Sequence, residues 1–163
     1  MNVTKIKKQA PYRVMKLKVN IQRATKTRNL PSNQRIRTWV HVTLEGRVQQ
    51  AELTVRMVGT REATRLNQEW RRKKGPTNVL SFPADDRHGL APGFLGDIVL
   101  CAPVIVREAM QQGKSLGAHW AHLIIHGTLH LLGYDHEKHA EARKMESLEK
   151  KLLAKLAIAD PYK

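Results

Sequence analysis

Three histidines, His126, His130 and His136, stand in the run His126-Gly127-Thr128-Leu129-His130-Leu131-Leu132-Gly133-Tyr134-Asp135-His136. Residues four apart share one face of an α-helix, so His126 and His130 can aim their imidazoles at a common ion. Gly133 supplies a left-handed residue, which costs glycine no Cβ penalty, to end the helix. The turn then brings His136 back as a third ligand. Three neutral imidazoles with a fourth position open to water is the arrangement of a catalytic zinc rather than a structural one. We therefore expect one Zn2+ per chain on these three residues. A lone histidine in an apolar run is more simply a core residue; the set of three with a turn glycine is what points to metal.

The spacing matches the long zinc-protease motif H-E-x-x-H-x-x-G-x-x-H, glycine included. In those proteases the residue after the first histidine is the glutamate that acts as general base. Here it is Gly127, which has no side chain, so peptide hydrolysis loses much of its support. A metal can lower the pKa of its water to about 7 without a base. Phosphodiester cleavage then mainly demands neutralisation of charge at phosphorus, which a metal and a nearby arginine provide. The cluster Arg71-Arg72-Lys73-Lys74 offers that arginine and further phosphate contacts. Composition alone does not choose Arg71 over Arg72.

The elements that must position these groups follow from periodicity. Leu17, Val19 and Ile21 alternate with polar residues across Val14 to Ile21, as in a half-buried strand, and Leu53, Val55 and Met57 do the same across Ala51 to Val58. Asn33 to Gln50 fits either period, and its length favours a helix. Thr60 can cap a helix whose inward face is Ala63, Leu66 and Trp70, which would hold Arg71 beside a buried tryptophan. Thr77–Phe82 and Leu95–Cys101 read as short strands, with a loop at Asp85–Gly93 between them. Pro103 suits the first turn of a helix that Gly113 ends. Ser115 can cap Leu116 to Leu132, a helix apolar nearly all round and hence central and buried. Its polar stripe is His122, His126 and His130, so His122 is a ligand, a partner to one, or simply the stripe's outer end. Glu137 to Ile158 is amphipathic through Met145, Leu148, Leu152 and Leu156. Asp135 either orients an imidazole or caps the turn at Gly133, and Asp97 closes a turn at a strand start. The expected fold is α+β: one domain, a small mixed sheet of about four strands, and a central helix carrying the histidines.

At 163 residues and 41% hydrophobic the chain suffices for one core, and no apolar run approaches the ~20 residues of a membrane span. The single Cys101 excludes an intrachain disulfide and fits a reducing cytoplasm. Net charge is +15, and no Asp or Glu precedes Glu45. Such a field attracts polyanions, and with a metal site it favours nucleic acid. Aromatics are only 5%, so a base-stacking platform is not evident. Residues 1–14 are basic and aperiodic, a mobile extension ahead of one catalytic domain over 15–163.

The histidine run, together with Trp70-Arg71, Pro76-Thr77-Asn78-Val79-Leu80-Ser81-Phe82-Pro83 and Leu95-Gly96-Asp97-Ile98, resembles the bacterial rRNA maturation factor family, the YbeY-type metal-dependent endoribonucleases. The likeness covers about residues 50 to 160. It implies zinc on His126, His130 and His136, and Arg71 as the functional arginine. It also implies cleavage of single-stranded RNA in 16S rRNA 3′-end maturation and ribosome quality control, in the cytoplasm, with the ribosome as partner. That family often has Gly-Lys-Asp after the arginine; here Arg72-Lys73-Lys74 replaces it, and residues 1–14 extend beyond the usual start. The alternatives are a zinc metallopeptidase-like hydrolase and a non-catalytic ribosome assembly factor with structural zinc.

Overall fold

Strict alternation along β2, Gln50–Val58, sets the two faces of the sheet: Ala51, Leu53, Val55 and Met57 are buried on one side, while Glu52, Thr54 and Arg56 face the other. The computed structural model describes residues 13–85 and 92–163. β1, Lys16–Ala24, pairs parallel with β2, and β2 pairs parallel with β4, Phe94–Cys101. β3, Val79–Pro83, runs antiparallel to β4 and forms the far edge, giving the order β1-β2-β4-β3. This is the mixed four-stranded sheet of the expected α+β class.

The main core lies on the Leu53 and Val55 side. α1, Asn33–Leu44, contributes Ile36, Trp39, Val40 and Leu44, and α4, Leu116–Leu131, contributes Trp120, Ile124, Ile125 and Leu129. α4 is buried nearly all round, as its composition requires. Its start is set by Ser115, whose side chain accepts a hydrogen bond from the Ala118 amide at 3.1 Å. α5, His139–Lys155, closes this side with Met145, Leu152 and Leu153. A second, smaller core on the opposite face joins Val58, Leu80, Val99 and Cys101 to Ala63 of α2, Thr60–Arg71, and Val104 of α3, Ala102–Gln111. Arg56 of β2 grips Glu62 of α2 through two hydrogen bonds of 2.9 and 3.0 Å, holding that helix against the sheet.

Several expectations need correction. The helix expected over Asn33 to Gln50 stops at Leu44, because Gly46 takes a left-handed φ of 74° and the chain then enters β2. Gly59, not Thr60, is the cap of α2, and it makes no side-chain bond. Trp70 is 67% exposed rather than buried, since it lies in the last turn of α2, past the part that Ala63 seats on the sheet. Lys150 of α5 pairs with Asp160 at 3.7 Å, where the spacing of four from Glu146 predicts an ion pair within the helix. The loop expected at Asp85–Gly93 falls mostly on residues outside those described, as do residues 1–12 of the expected basic extension.

α4 crosses the β3 edge closely. A Cβ added at Gly127 would lie 2.8 Å from Ile98 Cγ2 and 3.2 Å from Ser81 Oγ, and the Ser81 hydroxyl donates to the Gly127 carbonyl at 3.2 Å. Helix propensity alone would favour alanine here by about 1 kcal/mol. Overpacking of one methyl against β4 costs more, about 1–3 kcal/mol. Gly127→Ala should therefore lower the urea unfolding free energy by about 1 kcal/mol net.

Candidate metal centre

His126 and His130 lie one turn apart on α4, and Gly133, at φ 95°, turns the chain immediately after it. The Gly133 and Tyr134 amides close the helix end on His130 and Leu129 carbonyls at 3.0 and 3.1 Å. Asp135 Oδ1 then accepts from the amides of His136 at 2.6 Å and Glu137 at 3.3 Å. Asp135 is thus the capping residue of the turn that returns His136 to the helix, the second of the two roles open to it.

The three rings converge. His130 Nε2 lies 3.1 Å from His126 Nε2 and 3.0 Å from His136 Nδ1. A tetrahedral ion with Zn–N bonds of ~2.0–2.1 Å would have nitrogens roughly 3.3 Å apart, so the donor set is the right size for one small cation. The Nδ1–H of His126 donates to Glu149 on α5, which turns the Nε2 lone pair toward the other two rings. Converging lone pairs are satisfied by a cation better than by one another. Burial, with repulsion from His126 and His136, pushes the His130 pKa down to about 4, so this imidazole is neutral near pH 7, as a ligand must be.

Glu149 is fully buried. Burial alone would push its carboxyl up, yet hydrogen bonds from His122, His126 and Tyr162 outweigh this and hold it at about 2. His122 Nε2 donates to Oε2 at 3.3 Å, and the Tyr162 hydroxyl donates to the same oxygen. His122 is therefore a partner of the carboxylate behind His126 rather than the idle end of a stripe. His122, His126 and Glu149 also bring potential ligand atoms within 4.8 Å of one another, but there the carboxylate already accepts from both rings. Sequence reasoning missed Glu149. Its signal was a carboxylate four residues after Met145 and three before Leu152, on the helix face those residues bury.

The histidines open on a groove of about 1160 Å³ that passes the β3 edge to the polar face of the sheet, reaching Thr54, Arg56, Asp97 and α2. Arg71 lines it; Arg72, Lys73 and Lys74 are exposed but do not. Arg56, the other groove cation, is committed to Glu62, whereas no carboxylate among the described residues pairs with Arg71. Arg72 closes α2 in a left-handed conformation, φ 56°, its amide reaching the Asn67 and Gln68 carbonyls, and so ends the helix on Arg71. Glycine takes that conformation without penalty, whereas an L-residue there costs roughly 1–2 kcal/mol. Asp97 lies within β4 and lines the groove opposite Thr54 and Phe82, instead of closing a turn. Cys101 is buried and unpaired, its thiol pushed up by burial. The exposed Trp70 shares the groove, an aromatic that composition had hidden.

A small α+β domain with three histidine nitrogens converging in a groove that also holds an arginine, unpaired among the described residues, has the makings of a metal-dependent hydrolase of phosphate esters. The family model described as Endoribonuclease YbeY matches residues 19–157. An "Endoribonuclease YbeY" of Xanthomonas campestris pv. campestris is 51% identical over 152 residues, covering 91% of this chain and 94% of that one, and one from Stenotrophomonas maltophilia matches to the same extent. The solution structure of TM1509 from Thermotoga maritima shares the fold, with a TM-score of 0.57 and 22% identity over 89% of this chain and 99% of that one. The chain belongs to the endoribonuclease YbeY family. The likeness begins near Val19, well before the residue 50 at which the sequence blocks begin.

Glu149→Gln keeps the shape but weakens the acceptor behind His126, and should lower metal affinity about 10–100-fold by competition with a chelating dye. Stability of the metal-free protein should also depend on pH in two steps. The folded pKa of His130 lies below the unfolded 6.5, so its contribution is complete above 6.5 and is lost as pH falls toward about 4. The Glu149 contribution, complete above 4.5, is lost as pH falls toward about 2. Urea unfolding in chelator measures both, and His130→Ala should flatten the upper step only.

Proposed function

We propose that this protein is a zinc-dependent endoribonuclease that cuts single-stranded segments of ribosomal RNA, acting in 16S rRNA 3′-end maturation and ribosome quality control in the cytoplasm. The observation that carries the reading is one groove holding both the three convergent histidines and Arg71, with which no carboxylate among the described residues pairs. The curated relatives' printed activity agrees with it.

His126, His130 and His136 hold the ion, one per chain, with Glu149 fixing the tautomer of His126. When bound, zinc would supply a water acidic enough to attack at neutral pH and positive charge for the phosphodiester oxygens. Arg71 binds a non-bridging phosphate oxygen with its planar donor fork, opposing the charge that accumulates during attack. Arg72, Lys73 and Lys74, exposed just beyond the groove, extend the attractive field along the strand and contribute salt-dependent affinity rather than chemistry. The crowding of Gly127 by Ile98 weighs against the metallopeptidase alternative, since the Cβ of the usual glutamate would already press on that side chain at 2.8 Å. No helix among the described residues is long and apolar enough to cross a membrane.

The test is cleavage of a labelled single-stranded RNA alongside elemental analysis. His130→Ala should abolish both bound metal and cleavage. Arg71→Ala should keep the metal and lose about 10²–10³-fold in rate. Full cleavage by metal-free protein would sink the proposal, and complementation of a deletion strain by Arg71→Ala protein that cannot cleave would favour the non-catalytic assembly factor.

A further inference from the structure

Among the described residues, Trp70 is the one large aromatic ring of the groove left mostly in solvent. The chain has three tryptophans, and the other two, Trp39 and Trp120, are 4% and 1% exposed in the main core. Trp70 is 67% exposed, and it makes a T-shaped contact with Phe82, centroids 5.7 Å apart and planes at 71°. The packing loses little by the ring's being there, yet an indole in water is unfavourable to keep. Its neighbours supply a reason. Leu66, Phe82 and Pro83 make an apolar lip on the groove, Arg71 is the next residue, and the histidines line the same groove.

We infer that Trp70 is a base-stacking platform, on which a nucleobase of a single-stranded polynucleotide lies while the adjoining phosphate meets Arg71. This rests on the endoribonuclease reading and names how the site recognises its substrate. A phosphate and its base belong to one nucleotide, and consecutive residues Trp70 and Arg71 offer one group for each. A base within a duplex is already stacked and cannot reach an indole that lies in a groove. Preference for single strands then follows from one side chain, without reading of base edges, and it tolerates any base because each has a π face. The partly aliphatic lip and the short aromatic contact hold the ring in place without covering it.

The test uses the full-length, metal-loaded protein and a labelled 2′-O-methyl octanucleotide, with an abasic strand of equal length as the second probe. Wild-type protein should bind the base-bearing strand more tightly, with quenching of indole emission, which reports on Trp70 because the other two tryptophans are buried. Trp70→Ala should weaken that binding roughly 5- to 150-fold and leave the abasic strand unaffected. Trp70→Phe, which keeps a smaller π face, should recover most of the loss. Equal binding of both strands by wild type, or unchanged binding by Trp70→Ala, overturns the platform while leaving phosphate binding and cleavage standing; that outcome would fit a ring that serves a protein partner. Failure of wild-type protein to bind either strand or to cleave RNA overturns the endoribonuclease reading, and the platform with it.

Discussion

A carboxylate without access to water, Glu149, is the constraint to which the rest of the site conforms. Leaving such a charge unpaired would cost several kcal/mol, so its surroundings must be built from donors. Three arrive from two places: His122 and His126 from α4, and Tyr162 from the C-terminal segment. Each bond helps fix the orientation of its side chain, and for His122 and Tyr162 a T-shaped ring contact adds to it. The orientation that matters most is that of His126, whose free nitrogen must face His130. The docking of α5 and of the segment after it is thereby tied to the geometry at the far side of an imidazole.

The second constraint is the approach of α4 to the β3 edge. Gly127 lets the helix backbone come within reach of Ile98 and Ser81, and this closeness puts the histidine face beside the strand that borders the groove. The groove thus joins two surfaces of different origin. One is a helix face shaped by burial; the other is the polar side of a sheet, shaped by the alternation along β2 and β4. Arg71 enters from a third element, and the left-handed Arg72 ends α2 just where Arg71 lines the groove.

Much of this was legible from residue order because local rules decided it. Alternation located β1 and β2, and a short apolar run located β4; Ser115 and Gly133 bracketed α4; the spacing of His126, His130 and His136 depended only on helix period and one turn. What was not legible depended on tertiary partners. Glu149 looks like one more charge in a helix rich in Lys and Glu, and only the arrival of α4 makes it a buried acceptor. Leu148 seemed the better core residue, and it is only partly buried. Trp70 follows Ala63 and Leu66 at helical spacing, and nothing local says that the sheet ends before the helix does. Asn33 to Gln50 satisfied both periods as far as Gly46, where a single backbone conformation decided.

The tight contact at Gly127 also bears on which chemistries lie within reach of this scaffold by stepwise change. Its histidine motif has the spacing of a zinc protease and differs from it chiefly in the identity of one residue, Gly127, and a glycine codon can become a glutamate codon through a single base change. That step is hindered here: the new Cβ alone would lie 2.8 Å from Ile98 Cγ2 and 3.2 Å from Ser81 Oγ, so those side chains must shift before the base can be accommodated. Packing, acting as a barrier between neighbouring sequences, keeps the site in its present reaction class independently of any selection on the reaction itself.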